Sequence, residues 1–123
     1  MIEYRRRLNL AKNNGQMANC IGTAFYLAGY IDEDRHIEPR EIDDDFLVRL
    51  ADYRIHCIAA LFHADTGEWI HAGIVTGIVP LRVTHRAGIK GRIIEDDSWA
   101  NFVGTSLRVP RFTGFFGRSS AVK

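Results

Sequence analysis

The sequence predicts an α+β domain in which N-terminal helices pack on an antiparallel β-meander. Three observations predict it. Apolar residues at helical spacing are confined to roughly the first fifty positions, apolar runs broken by turn residues follow, and a chain of 123 residues has the length of one domain. Hydrophobic residues at 46% and charged residues at 25% are ordinary globular usage, so the chain can bury a core. No repeat, low-complexity segment or linker divides it, which makes residues 1–123 a single domain.

Residues 5–7 are a short arginine run and read as a solvated terminal segment. Residues 9–19 are polar and turn-rich, and a helix opens after them. Asn19 suits its N-cap, which leaves Cys20 in the first turn, and Gly29 suits the C′ position. Ile21, Ala24, Phe25 and Ala28 recur at the spacing of one helical face, so that face is buried. A second helix is expected after Glu38-Pro39. Ile42, Phe46 and Leu50 fall one turn apart, and Asp43, Asp44 and Asp45 sit in the first turn, where the helix dipole favours anions.

The meander follows. Residues 54–63 form an apolar run of the kind a strand buried on both faces carries. Asp65-Thr66-Gly67 turns the chain, and residues 68–76 run back. Residues 77–79 make a three-residue turn into a strand ending at Arg86. Gly88 and Gly91 mark a loop, residues 98–102 are a short helix or loop, and residues 106–111 form a last strand with Pro110 at a sheet edge. Phe112, Phe115 and Phe116, spaced by Gly114 and Gly117, read as a closing strand packed on the core.

The formal charge of +1, from 16 basic against 15 acidic side chains, offers no footprint for nucleic acid or an anionic membrane. The first residues are polar and basic with no apolar h-region behind them, and no window is long and apolar enough to span a bilayer. Cys20 and Cys57 are too few for a disulfide framework, so a reducing cytoplasm is the default compartment.

Cys20 carries the chemistry. A thiol at a helix N-terminus faces unsatisfied N–H groups and the positive dipole end, which favour the thiolate and stabilise an oxyanion. Gly22, Thr23 and Ala24 are small and leave room for a substrate. Cys57 lies inside an apolar strand and reads as an inert buried thiol. A nucleophilic cysteine needs a base, and the base needs an orienter. A three-residue turn at 77–79 sets Thr76 opposite Pro80. Carried back, that register opposes Val75 to Leu81, Gly73 to Val83 and His71 to His85, close enough for one imidazole to hydrogen-bond the other. A slip of one residue would part them. His36 lies in a charged stretch and His63 at a turn, and both read as surface. No His-x-x-x-His or Cys-x-x-Cys pair points to a metal, and nothing calls for a cofactor.

Asn19-Cys20-Ile21-Gly22-Thr23-Ala24 at a helix start, Trp69-Ile70-His71-Ala72-Gly73-Ile74-Val75 in one strand and Val83-Thr84-His85-Arg86 in the next resemble the NlpC-type cysteine peptidases. These are compact papain-like enzymes, many of which cut amide bonds in bacterial cell-wall peptides. The resemblance implies a papain-like fold and a peptide or amide substrate. It makes Cys20 the nucleophile, His71 the general base and His85 the third member. Gln16 and Asn19 are then the oxyanion candidates, and a tyrosine serves in some of the group, which brings in Tyr4 and Tyr26. The family has Asp-Cys-Ser-Gly where this chain has Asn19-Cys20-Ile21-Gly22. Alternative readings are a papain-fold acyltransferase or deamidase, transglutaminase-like or toxin-type, and a non-catalytic binding module. An enzyme of the first kind requires the Cys20 sulfur to come within contact range of the His71 imidazole.

Overall fold

A computed structural model of the chain describes residues 2–15, 17–42, 46–87, 91–105 and 111–118. Helix α1 (Ile2–Lys12) and helix α2 (Cys20–Leu27) come first, then a 3-10 turn (Pro39–Glu41) and strand β1 (Leu47–Arg49). Strands β2 (Ile58–His63), β3 (Trp69–Ile78), β4 (Leu81–Arg86) and β5 (Ile93–Ser98) form the meander, followed by helix α3 (Trp99–Gly104) and strand β6 (Arg111–Arg118). The architecture is α+β: among the described residues, six strands make one antiparallel sheet in the order β1-β6-β2-β3-β4-β5. Among the same residues, no helix is long and apolar enough to cross a membrane.

Strand alternation divides the core between two faces. On one face Ala72 and Ile58 pack against Cys20, Ile21, Ala24 and Phe25 of α2, while Ile74 packs against Tyr26, Leu27 and Leu8 and Ala11 of α1. On the other, Ala59, Leu61, Val75 and Val83 pack under Phe102 of α3. Residue for residue, β2 is buried on both sides, as its composition predicts, but it starts only at Ile58. The segment before it turns, with His56 at φ 68° and the Cys57 N–H donating to the Arg54 carbonyl.

The N-terminal arginine run is not simply solvated. Arg5 and Arg6 face outward on α1, but Arg7 is buried, donates to the carbonyls of Tyr26 and Ile31 at 2.9 and 2.7 Å, and lies over the Tyr26 ring. The expected helix after Pro39 does not form. Glu38 and Glu41 cap a single 3-10 turn, and Leu47 pairs with Arg118 at the sheet edge. Phe46 instead meets the rings of Phe25 and Tyr30, so the four-residue apolar spacing served two tertiary contacts rather than one helix face. Residues 43–45 lie outside the described residues.

Asn19 caps α2 as expected, and Gly29 and Gly67 take positive φ where the cap and the hairpin require it. Strand β5 has no counterpart among the strands the sequence predicts. Of the expected strand at 106–111, residues 106–110 lie outside the described residues, and Arg111 belongs to β6. Phe115 stacks on Trp99, and Phe116 meets Phe62 and Trp69, so β6 closes the sheet on the core while Phe112 stays exposed.

A second buried element ties the helices to the sheet. Arg86 on β4 donates to Asp34 at 2.9 Å, to Thr23 on α2 at 2.7 Å and to the Ala11 carbonyl on α1 at 3.0 Å. The guanidinium and carboxylate are almost wholly out of water, so their mutual pairing, with the Thr23 hydroxyl on Asp34, is what makes burying them tolerable. The loop between α2 and the 3-10 turn is thereby drawn down onto the first turn of α2.

Candidate functional site

His71 and His85 meet, though not in the register the sequence suggests. The turn between β3 and β4 has two residues, Val79 and Pro80, with Ile78 opposite Leu81. Thr76 is then skipped by a bulge, and Val75 faces Val83 where Leu81 was expected. The displacement is therefore two residues, an even number, and every side chain keeps its face. Continued along both strands, the pairing sets Gly73 opposite His85 and His71 diagonally beside it. The His71 Nε2 to His85 Nδ1 distance is 2.8 Å, and the rings meet edge to face. Gly73 makes this possible: a Cβ there would stand 2.5 Å from Val83 Cγ1 and 3.0 Å from His85 Cβ.

The row continues to a residue the sequence did not single out. His85 Nε2 lies 2.9 Å from Asp97 Oδ2. Asp97 Oδ1 accepts from the Ser98 N–H at 2.9 Å and from Asn101 Nδ2 at 3.1 Å, so the first turn of α3 holds the carboxylate. These bonds keep Asp97 below the ordinary carboxylate pKa despite the opposing desolvation. In an unbroken strand Ile94 and Asp97 would face opposite ways. A bulge in β5, with Asp96 at φ 51°, brings Ile94 opposite His85 and Asp97 opposite Val83, both on the histidine face. Phe102 covers the pair, its ring centroid 5.2 Å from that of His71 and 5.1 Å from that of His85. A cleft of about 620 Å³ opens beside His85 and Asp97, bordered by Ile94, Ala100 and Asn101.

Cys20 approaches β3 from the other side. It packs with Ala72, the residue after His71, in the α2-side core, where the Ala72 N–H lies near enough to the sulfur to pull its pKa down. Alternation sends the His71 side chain to the opposite face, under Phe102. The structure thus brings the thiol to the backbone beside His71, and the His71 imidazole to His85. Among the described residues it makes no Cys20–His71 hydrogen bond. The site lies at the end of the β3–β4 ladder: continued pairing sets His71 opposite Ala87, one residue beyond the end of β4.

The electrostatics also differ from the expectation of a depressed thiol. Cys20 is 8% exposed, and burial pushes its pKa up against the pull of the N–H groups of Ala72, Ile21 and Cys20 itself. Desolvation outweighs the helix N-terminus. The small residues after Cys20 serve packing rather than substrate entry: Thr23 is fully buried in the Arg86–Asp34 cluster, Ala24 is core, and Gly22 receives the Arg35 carbonyl. Asn19 is likewise committed. Its Oδ1 accepts from the N–H groups of Gly22 and Ile37, and its Nδ2 donates to the Ile37 carbonyl at 2.7 Å, so it caps the helix and pins the loop instead of facing an oxyanion. Gln16 lies outside the described residues. Tyr4 stacks on His56 and Tyr26 lies beneath Arg7. Cys57 is buried and its pKa is raised by desolvation.

His71 is pushed down to about 4, first by burial and then by its electrostatic coupling to the neighbouring His85, which disfavours charge on the His71 ring. The unfolded chain takes up this proton near pH 6.5 and the folded chain only near 4. The stability that neutral His71 contributes is therefore full above 6.5 and lost as pH falls toward 4, by roughly 3 kcal/mol at most. Urea midpoints at pH 7 and 4.5 are expected to separate by more in the wild type than in His71→Gln; equal separations would show that burying the neutral ring adds nothing.

No family model, curated protein or solved structure matches the chain. What the site can do rests on its own geometry and chemistry.

Proposed function

We propose that the chain is a papain-like thiol hydrolase of the NlpC type that cleaves an amide or peptide bond, with Cys20 as nucleophile, His71 as base and His85 as the group that orients the base. The observation that carries this reading is the hydrogen-bonded row from Asp97 through His85 to His71, which ends one residue along β3 from Ala72, with which Cys20 packs. The fold agrees in outline: a cysteine-led helix packs on an antiparallel sheet whose successive strands carry the two histidines.

The reaction starts from neutral partners. Burial holds Cys20 as a thiol and His71 as an imidazole, so proton transfer accompanies attack instead of preceding it. The S–H proton passes to His71 as sulfur bonds to the amide carbonyl carbon. His71 then returns the proton to the leaving amine as the C–N bond breaks, and water hydrolyses the thioester. In the structure the thiol and the imidazole lie on opposite faces of β3, and the thiol is buried. The reaction therefore requires a rearrangement that brings the two together around the end of the β3–β4 ladder, beyond the tightening of an existing hydrogen bond.

The test is a panel of short peptides, cell-wall-type stem peptides among them, and simple amides, followed by alkylation with iodoacetamide. Turnover is expected to fall in step with modification of Cys20, mapped by mass spectrometry, with Cys57 without influence. Turnover that persists after complete modification of Cys20 sinks the reading. A non-catalytic module has its own supporting observation, the buried neutral thiol. In that case both cysteines alkylate at the same slow rate, and no amide accelerates or protects Cys20.

A further inference from the structure

The row beneath α3 has a direction. Two neutral imidazoles joined by one hydrogen bond can be arranged either way round, because each ring carries one donor and one acceptor nitrogen. An ionised carboxylate accepts only, and a hydrogen bond to it is about twice as strong as one between neutral groups. Asp97 therefore breaks the symmetry. Its Oδ1 is occupied by the Ser98 N–H and Asn101 Nδ2, and its Oδ2 faces His85 Nε2 at 2.9 Å. His85 Nε2 must carry the proton. The Nδ1 of a neutral His85 is then a lone pair, and the only proton available for the 2.8 Å contact sits on His71 Nε2. That leaves His71 Nδ1 unprotonated, and among the described residues nothing hydrogen-bonds to it.

We propose that Asp97 is a positioning residue which, acting through His85, holds neutral His71 in the Nε2–H tautomer and so makes Nδ1 the basic nitrogen of the site. The carboxylate does this without touching His71. It is aimed by the β5 bulge at Asp96 and by the start of α3, so the same local distortion that puts Asp97 on the histidine face sets the proton arrangement two residues away. The catalytic meaning of this arrangement rests on the thiol-hydrolase reading, but the arrangement itself does not.

The experiment is ¹⁵N NMR of histidine-labelled full-length protein near neutral pH, with two-bond correlations to the ring C–H protons. In the wild type, the His71 Nδ1 resonance is expected at the unprotonated end of the imidazole range and Nε2 at the protonated end. In Asp97→Asn the amide Nδ2 can donate to His85, which reverses the row, and His71 Nδ1 is expected to move toward the protonated end. Circular dichroism and the other histidine resonances show whether that variant is folded. The wild-type spectrum alone keeps the inference testable, because a His71 found with its proton on Nδ1, accepting at Nε2 from a His85 whose Nδ1 is protonated, overturns it. So does an unchanged His71 tautomer in folded Asp97→Asn. An Nε2–H His71 in a protein without Cys20-dependent turnover would end the hydrolase reading and leave the row standing. Turnover with a tautomer indifferent to Asp97 would do the reverse.

Discussion

Replacing Cys20 by alanine is expected to lower amide turnover by a factor on the order of 10⁴ while the protein stays folded, since removing a nucleophile removes the covalent route entirely. The fold should tolerate the change. The N-cap of α2 is made by Asn19, not by the cysteine, and the lost sulfur leaves a small void at the Ala72 contact worth about 1 kcal/mol. His71→Ala is expected to cost a similar factor, and the double variant little more than either alone, because nucleophile and base act as one unit. His85→Asn should be milder, retaining a side chain that can accept from His71. The measurements are kcat on the best amide of the panel and the urea midpoint of each variant. Undiminished turnover in a stably folded Cys20→Ala protein refutes the mechanism.

Gly22→Ala is expected to abolish cooperative folding, or to cost at least about 4 kcal/mol, a magnitude reserved for a backbone that must move. A Cβ at residue 22 would lie 1.5 Å from the Arg35 carbonyl oxygen and 2.7 Å from its carbon, and neither can rotate away. Moving the loop to make room would pull against three anchors: the Asn19 bonds to Ile37, the Asp34 pairing with Arg86, and the Thr23 hydroxyl on Asp34. Breaking a buried ion pair of this kind costs about 3–5 kcal/mol by itself. Far-UV circular dichroism and urea unfolding decide the matter. A Gly22→Ala protein with the wild-type midpoint would mean that the loop can retreat without loss.

Much of the helix–meander outline could be read directly because it rests on short-range signals. Asn19 before an apolar helical face marks a cap, the apolar run at 58–63 marks a doubly buried strand, and Gly67 marks a turn. The pairing of His71 with His85 came from alternation, and it survived a wrong turn length only because the tight turn and the bulge at Thr76 together moved the register by an even number. Other features were out of reach. Strand β5 carries Glu95 and Asp96 outward and has little apolar alternation, so only its pairing with β4 makes it a strand. Asp97 was invisible for a related reason: a bulge changes parity, and nothing local announced one at Asp96. Arg7 looked like surface charge because the carbonyls that receive it belong to residues 19 and 24 positions away.

The sequence by itself determined which residues could do chemistry: a cysteine opening a capped helix, and two histidines on one side of adjacent strands. Those properties follow from nearest-neighbour periodicity. Only the tertiary structure decided how the residues are used. It added Asp97 to the histidines, committed Asn19 and Gly22 to holding a loop, and brought the thiol to β3 from the face opposite the imidazole. It also reversed the expected ionisation of Cys20, because the pKa of a thiol depends on how much water the surrounding fold removes, and burial here outweighs the pull of the helix N-terminus.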